Sequence, residues 1–102
     1  MEHREYNGWY NYETWVTALW ISNEEPSYLY WREQAQKVLN NAEEYSVFTK
    51  TERATLTLAD QLKDEHEEEM PKLQGIFSDL LGAAMSEVNW YEIAQHQIED
   101  VR

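Results

Sequence analysis

A chain of 102 residues with a formal net charge of −12 makes one domain, whose folded surface should be about 6,000 Å². So much negative charge on so small a body repels phosphate backbones and anionic lipids, which sets aside direct nucleic-acid or membrane binding and leaves a basic protein groove or a cation as the complementary partner. There is no cysteine for disulfides or a thiolate metal site, no apolar run near the ~20 residues of a membrane span, and no signal-peptide core in MEHREYNGWYNYE, so a cytoplasmic protein is expected.

Residues 1–10 read as an irregular segment with Gly8 among turn formers. Asn11 then stands as N-cap before YETWVTALWIS, where Trp15, Ala18 and Ile21, or Trp15, Leu19 and Ser22, recur at helical spacing, and Asn23 marks the stop. Glu24-Glu25-Pro26-Ser27 punctuates the chain, and Pro26 suits the first turn of a second helix. Tyr28, Trp31, Ala35, Val38, Leu39 and Ala42 mark one face of that helix through about Tyr45. Ser46 to Lys50 is a connector. Thr49 with Glu52 has the spacing of a capping box and opens a third helix that turns Leu58 and Leu62 inward, with Leu56 and Ala59 beside them, and ends at Pro71. A fourth helix fits Leu73 to Met85, with an apolar stripe of Ile76, Phe77, Leu80, Leu81 and Ala84. Asn89, with Glu92 at N3, caps a fifth carrying Trp90, Ile93, Ala94, Gln97 and Val101. With three glycines, two prolines and almost no strand signal, the fold class is all-α: a compact single-domain bundle of four or five short helices across residues 1–102.

Leu, Ile and Val are sparse, so five Trp and seven Tyr are expected to supply much of the buried bulk and give an aromatic-rich core. Trp15, Trp20 and Trp31 are assigned to that core. Trp9, Tyr10 and Tyr30 lie at a helix entrance or off the apolar face and are candidates for an exposed patch that anchors a protein partner. Base stacking is disfavoured, since Arg4, Arg32 and Lys37 are the only cations among the first forty residues.

His3, His66 and His96 sit among many acids, but none has a glutamate three residues before it, as a di-iron bundle requires. Glu92 and His96 are four apart, a spacing more often seen in a surface hydrogen bond. No alternating Asp/Asn loop suits calcium. No Gly-rich phosphate cradle, G-x-S-x-G elbow or H-E-x-x-H pair is present, so neither a cofactor nor an enzymatic activity is expected.

The stretch DQLKDEHEEE, Asp60 to Glu69, is the most distinctive feature: Asp60, Asp64, Glu65, Glu67, Glu68 and Glu69 share a helix with Lys63 as the one cation. Asp60, Asp64 and Glu68 stand four apart, as do Glu65 and Glu69, and each such like-charge pair costs roughly 0.2–0.5 kcal/mol in an isolated helix. One reading is a solvated face that keeps a small protein dispersed. The other is a phosphate mimic, because carboxylates one turn apart lie about 5–6 Å from each other, close to the phosphate spacing of a nucleic-acid strand. Glu43 and Glu44 could extend that array, and Glu99 and Asp100 if the last helix lies alongside.

Tyr6-Asn7-Gly8-Trp9, Asn11-Tyr12-Glu13-Thr14-Trp15 and Ala18-Leu19-Trp20-Ile21-Ser22-Asn23, with Asp79-Leu80-Leu81 and Val88-Asn89-Trp90-Tyr91-Glu92-Ile93-Ala94, resemble the opening and ending of an uncharacterised family of small phage, plasmid and cyanobacterial proteins. The resemblance covers about a third of the chain and carries over no catalytic or binding residue. It implies an accessory protein of a mobile element that acts on a host system by binding protein; taken with the acidic run, the expected partner is a basic nucleic-acid-binding host protein, such as a restriction or CRISPR effector. The alternative is a structural or assembly protein that meets its partner through the aromatic patch. Structurally, the two Asn-led blocks suggest two capped helices that meet in one aromatic core.

Overall fold

The computed structural model describes residues 4–43 and 49–102. Its first feature is a tight reversal at Asn7-Gly8, with φ of 47° and 86°, across which Tyr6 and Trp9 exchange backbone hydrogen bonds of 2.9 and 2.8 Å. Two successive left-handed residues make a type I′ turn, for which Asn-Gly is the favoured dipeptide. Apart from this bridge, every regular element among the described residues is helical.

Helix α1 (Tyr12–Asn23) starts where Asn11 accepts a hydrogen bond from the Thr14 amide, and only Glu24 separates it from α2 (Glu25–Asn41), which has Pro26 in its first turn. Tyr45 and most of the connector after Ala42 lie outside the described residues. The Thr49–Glu52 capping box forms in both directions and starts α3 (Lys50–Glu69). Pro71 disfavours helical geometry in the residue before it, and Met70 accordingly turns extended at ψ 129°. Helix α4 (Ile76–Ser86) begins three residues later than expected, at Gly75 with φ 62°. Helix α5 (Trp90–Val101) is capped by Asn89, which accepts from the Glu92 amide.

Helices α3 and α5 pack most extensively, α2 lies across both, and α1 rests chiefly on α2. Helices α2 and α3 run antiparallel, with Tyr30 beside Glu65 and Gln34 beside Gln61. Leu58 and Leu62 meet Ile93 and Ile98 at the centre, all almost fully buried, and Ala35, Ala54 and Ala94 let the helix backbones approach. Each such Leu or Ile stabilises the fold by roughly 1.5–3 kcal/mol. Trp31 is buried with them, and Trp9 and Trp90 pack against this centre.

Trp20 departs from its assignment to the core: it is 62% exposed, and Trp15 is only half-buried. Thr14, Ala18 and Ile21 take the inward positions of α1 instead. The reason is rotational. Thr14 is drawn inward by its hydroxyl, which donates to Asn11 Oδ1 at 2.5 Å and accepts from the Asn89 amide at 2.9 Å. With that face fixed, Trp20 falls on the opposite side of the helix. Trp15 instead joins Tyr6 and Tyr12 in a surface ring cluster with centroids 4.8–5.6 Å apart.

The expected apolar stripe of α4 exists, but no residue of that helix is buried. Helix α4 stands at the edge of the body with little packing against the other four. The shape reflects this: the radius of gyration is 14.5 Å, against about 13 Å for a typical domain of this length.

Candidate interaction surface

The acidic run occupies the last three turns of α3, whose inner side still fills the core through Leu62. With 3.6 residues per turn, Leu58 and Leu62 define the inward side, and Asp60, Asp64 and Glu67 fall on the outward side with Glu68 next to them. All four are exposed, as is Glu69. None of the six acids is in an ion pair among the described residues. The ion pair found there is Arg102 with Glu99, 3.3 Å apart and exposed. Among the described residues, the Asp60–Asp64 and Asp64–Glu68 repulsions are therefore not offset by an ion pair.

Glu65 departs from the array of six acids proposed as a phosphate mimic. It is half-buried against α2, where it accepts from the Tyr30 hydroxyl at 2.6 Å and from Gln61 Nε2 at 2.8 Å. Gln61 also donates to Gln34 Oε1 at 2.9 Å. The hydrogen bond to Glu65, then burial, then the Glu65 charge hold the Tyr30 phenol above the ordinary value of 10.0. Tyr30 thus belongs to the edge of the acidic face as a hydrogen-bond donor.

Trp9 and Tyr10 are placed elsewhere. Trp9 stacks on His96 of α5 with centroids 4.2 Å apart, and the Tyr10 amide donates to Glu92 Oε1 at 2.8 Å. These contacts also give Glu92 and His96 partners other than each other. Trp9, Tyr10 and Tyr30 consequently do not share a neighbour in these contacts. Nor does the far end of α5 extend the acid array. Trp90 lies near His66 at the C-terminal part of α3, so Glu99 and Asp100 sit about 14 Å further along α5, toward the other end of α3. Glu43 is exposed just past α2, and Glu44 lies outside the described residues, as does His3.

His66 anchors the run to the core. Its ring stacks at 5.6 Å on Trp31 and tilts at 5.1 Å against Trp90, while Nδ1 lies 2.7 Å from the Leu62 carbonyl. With Nδ1 protonated, that contact is a hydrogen bond to the preceding turn. Rings from α2 and α5 thereby hold the helix at the point where the acids begin to dominate. Among the described residues no group of three His, Asp or Glu is placed to hold a metal ion. No described helix is long and apolar enough to cross a membrane.

Sequence reasoning missed the polar join between the two ends of the chain. Asn11 Nδ2 donates to the Glu87 carbonyl at 2.6 Å, and the Asn89 amide donates to Thr14, whose hydroxyl donates back to Asn11. The two Asn caps interlock as hydrogen-bonding groups, where an aromatic contact between the blocks was expected. The local spacing shows each cap but not the join, whose partners stand 75 and 76 residues apart.

A model of a family of unknown function, DUF7249, matches residues 2–101. The chain belongs to this family. The DUF7249 match runs through both cap blocks and the whole of α3, so the acidic run lies within the family's extent. No curated protein and no solved structure matches the chain.

Proposed function

We propose that the protein acts by binding another protein, and that the outer face of α3 occupies a basic, nucleic-acid-binding groove on that partner. One observation carries this reading: Asp60, Asp64, Glu67 and Glu68 project from the helix, and among the described residues no cation is in an ion pair with them. Carboxylates about 5–6 Å apart on a fixed helix present charge at nearly the spacing of a phosphate strand. The fixed backbone lowers the ordering cost of docking. Tyr30 adds a phenol at the edge of the face, and Glu65 orients it. We place the protein in a phage or another mobile element and take the partner to be a host defence protein of the restriction or CRISPR kind, consistent with the sequence resemblance.

The test is capture of partners by the wild-type protein and by a variant carrying Asp60→Lys, Asp64→Lys and Glu68→Lys. Glu65 is left in place because it braces Tyr30. The captured protein should be basic, released by moderate salt and by added duplex DNA, and absent from the variant's eluate. Equal capture by the variant would reject the assignment.

A second reading has a specific observation in its favour. Trp20 is 62% exposed, and the Tyr6–Tyr12–Trp15 cluster lies at the same end of α1 as the turn at Gly8. An assembly partner held on such rings would resist salt and be lost in Trp20→Ala, so the two readings separate in one experiment.

A further inference from the structure

A pocket of about 340 Å³ lies between the last turns of α3, the second half of α4 and the start of α5. Met70, Met85, Val88 and Trp90 form its walls, and Lys63 and Glu67 stand on its exposed side. The gap follows from what α4 turns toward the body. At about 100° per residue, Gly82 falls opposite the apolar stripe of Ile76, Phe77 and Leu80, on the side that faces the pocket. A methyl group added at Gly82 would meet nothing within 4 Å. Glycine weakens a helix interior, and α4 is only 11 residues long with no side-chain cap to compensate. The space that Gly82 leaves explains its position better than the helix does.

The walls favour a ring. Thioether sulfurs make favourable contacts with aromatic edges, and the Trp90 indole offers a surface for stacking. His66 tilts against Trp90 at 5.1 Å and holds that indole in place before any ligand arrives. The volume sits at the low end for small-molecule sites, which suits one ring with a short polar tail.

Charge narrows the choice further. Ser86 Oγ is committed to the Ala83 carbonyl at 2.7 Å, which leaves the Lys63 ammonium and the Glu67 carboxylate, one helical turn apart, as the polar side-chain groups for a ligand. Among the described residues neither is in an ion pair. A plain carboxylate would meet Glu67 and the field of a chain of net charge −12, whereas a plain amine would meet Lys63. A molecule that carries both charges satisfies both side chains. We infer that this pocket binds a compact aromatic zwitterion, a free amino acid the size of phenylalanine, with its ring among Met70, Met85 and Trp90, its carboxylate on Lys63 and its ammonium on Glu67. Asp60, Asp64 and Glu68 do not line the pocket, so its occupant is independent of the role given to the acidic face.

Titration of the isotope-labelled full chain with L-phenylalanine, followed by its amide and indole resonances, tests this. The Trp90 indole and the Gly82 and Met85 amides should shift together and saturate with a Kd on the order of 1 mM, the scale for so few heavy atoms. Benzoate and phenethylamine, each with one of the two charges, should bind several-fold more weakly, and free glycine should leave Trp90 unshifted. Gly82→Leu should fill the pocket and abolish binding while the helical circular dichroism is kept. Lys63→Gln changes an exposed side chain that the core does not use. It should lower the affinity for L-phenylalanine to that for phenethylamine and leave phenethylamine binding no weaker. No shift at Trp90 as L-phenylalanine is raised well past the expected Kd would overturn the assignment. So would undiminished binding by Gly82→Leu, unchanged affinity for L-phenylalanine in Lys63→Gln, or benzoate bound as tightly as L-phenylalanine.

Discussion

If the outward acids of α3 serve a partner and not the fold, removing one should make the protein more stable. Asp64 is the most informative position because it stands four residues from both Asp60 and Glu68 and is exposed, with no ion pair among the described residues. Asp64→Lys converts two repulsive i,i+4 pairs into two attractive ones. At roughly 0.2–0.5 kcal/mol per pair of either sign, the swing is about 1–2 kcal/mol, with the Asp60–Lys order the better oriented of the two. For a domain of this size 1 kcal/mol corresponds to a rise in Tm of about 4–8 °C. Thermal melts followed by circular dichroism should show that rise at low ionic strength, and most of it should vanish near 1 M salt, where the Debye length falls to about 3 Å. An unchanged or lower Tm at low salt would refute the reasoning, because it would mean that Asp64 already has a stabilising role in the fold.

Other consequences follow from the contacts described above. Leu62→Ala opens a void between α3 and α5 and should cost about 2–5 kcal/mol, read from urea denaturation, with Leu58→Ala comparable. Thr14→Val removes the hydroxyl that links the caps and strands the Asn89 amide, so it should lose about 1–3 kcal/mol despite its similar shape, and Thr14→Ser should lose less. The Tyr30–Glu65 bond gives a pH signature: the folded pKa of Tyr30 lies above its unfolded value of 10.0, so its stabilisation is complete below that pH and is lost as pH climbs through the raised value. Tyr30→Phe should therefore flatten the alkaline limb of the stability curve, and an identical limb in wild type and variant would show that the bond does not form in solution.

Helix starts were legible in the sequence because capping is local chemistry. Asn11, Thr49 with Glu52, and Asn89 with Glu92 each act within three residues of themselves, and Pro71 stops α3 through its own ring. Which face turns inward was harder where a helix is apolar on most sides. In α1 the pattern Trp15, Ala18, Leu19, Trp20, Ile21 allows several rotations, and the deciding contact is Thr14 with Asn89, seventy-five residues away. The stripe of α4 was legible as a stripe, but periodicity does not say whether the same chain covers it. The acidic run was legible in composition. That Glu65 leaves it to brace Tyr30 depends on how α2 crosses α3, which no local spacing encodes.

The role of the acidic face of α3 is tested most directly by capture of partners by wild type and by the Asp60→Lys, Asp64→Lys, Glu68→Lys variant at low salt, with and without competing duplex DNA. The expected result is a basic nucleic-acid-binding protein held by wild type, displaced by the DNA and missing from the variant. Retention of the same partner by the variant, indifferent to DNA, would contradict it.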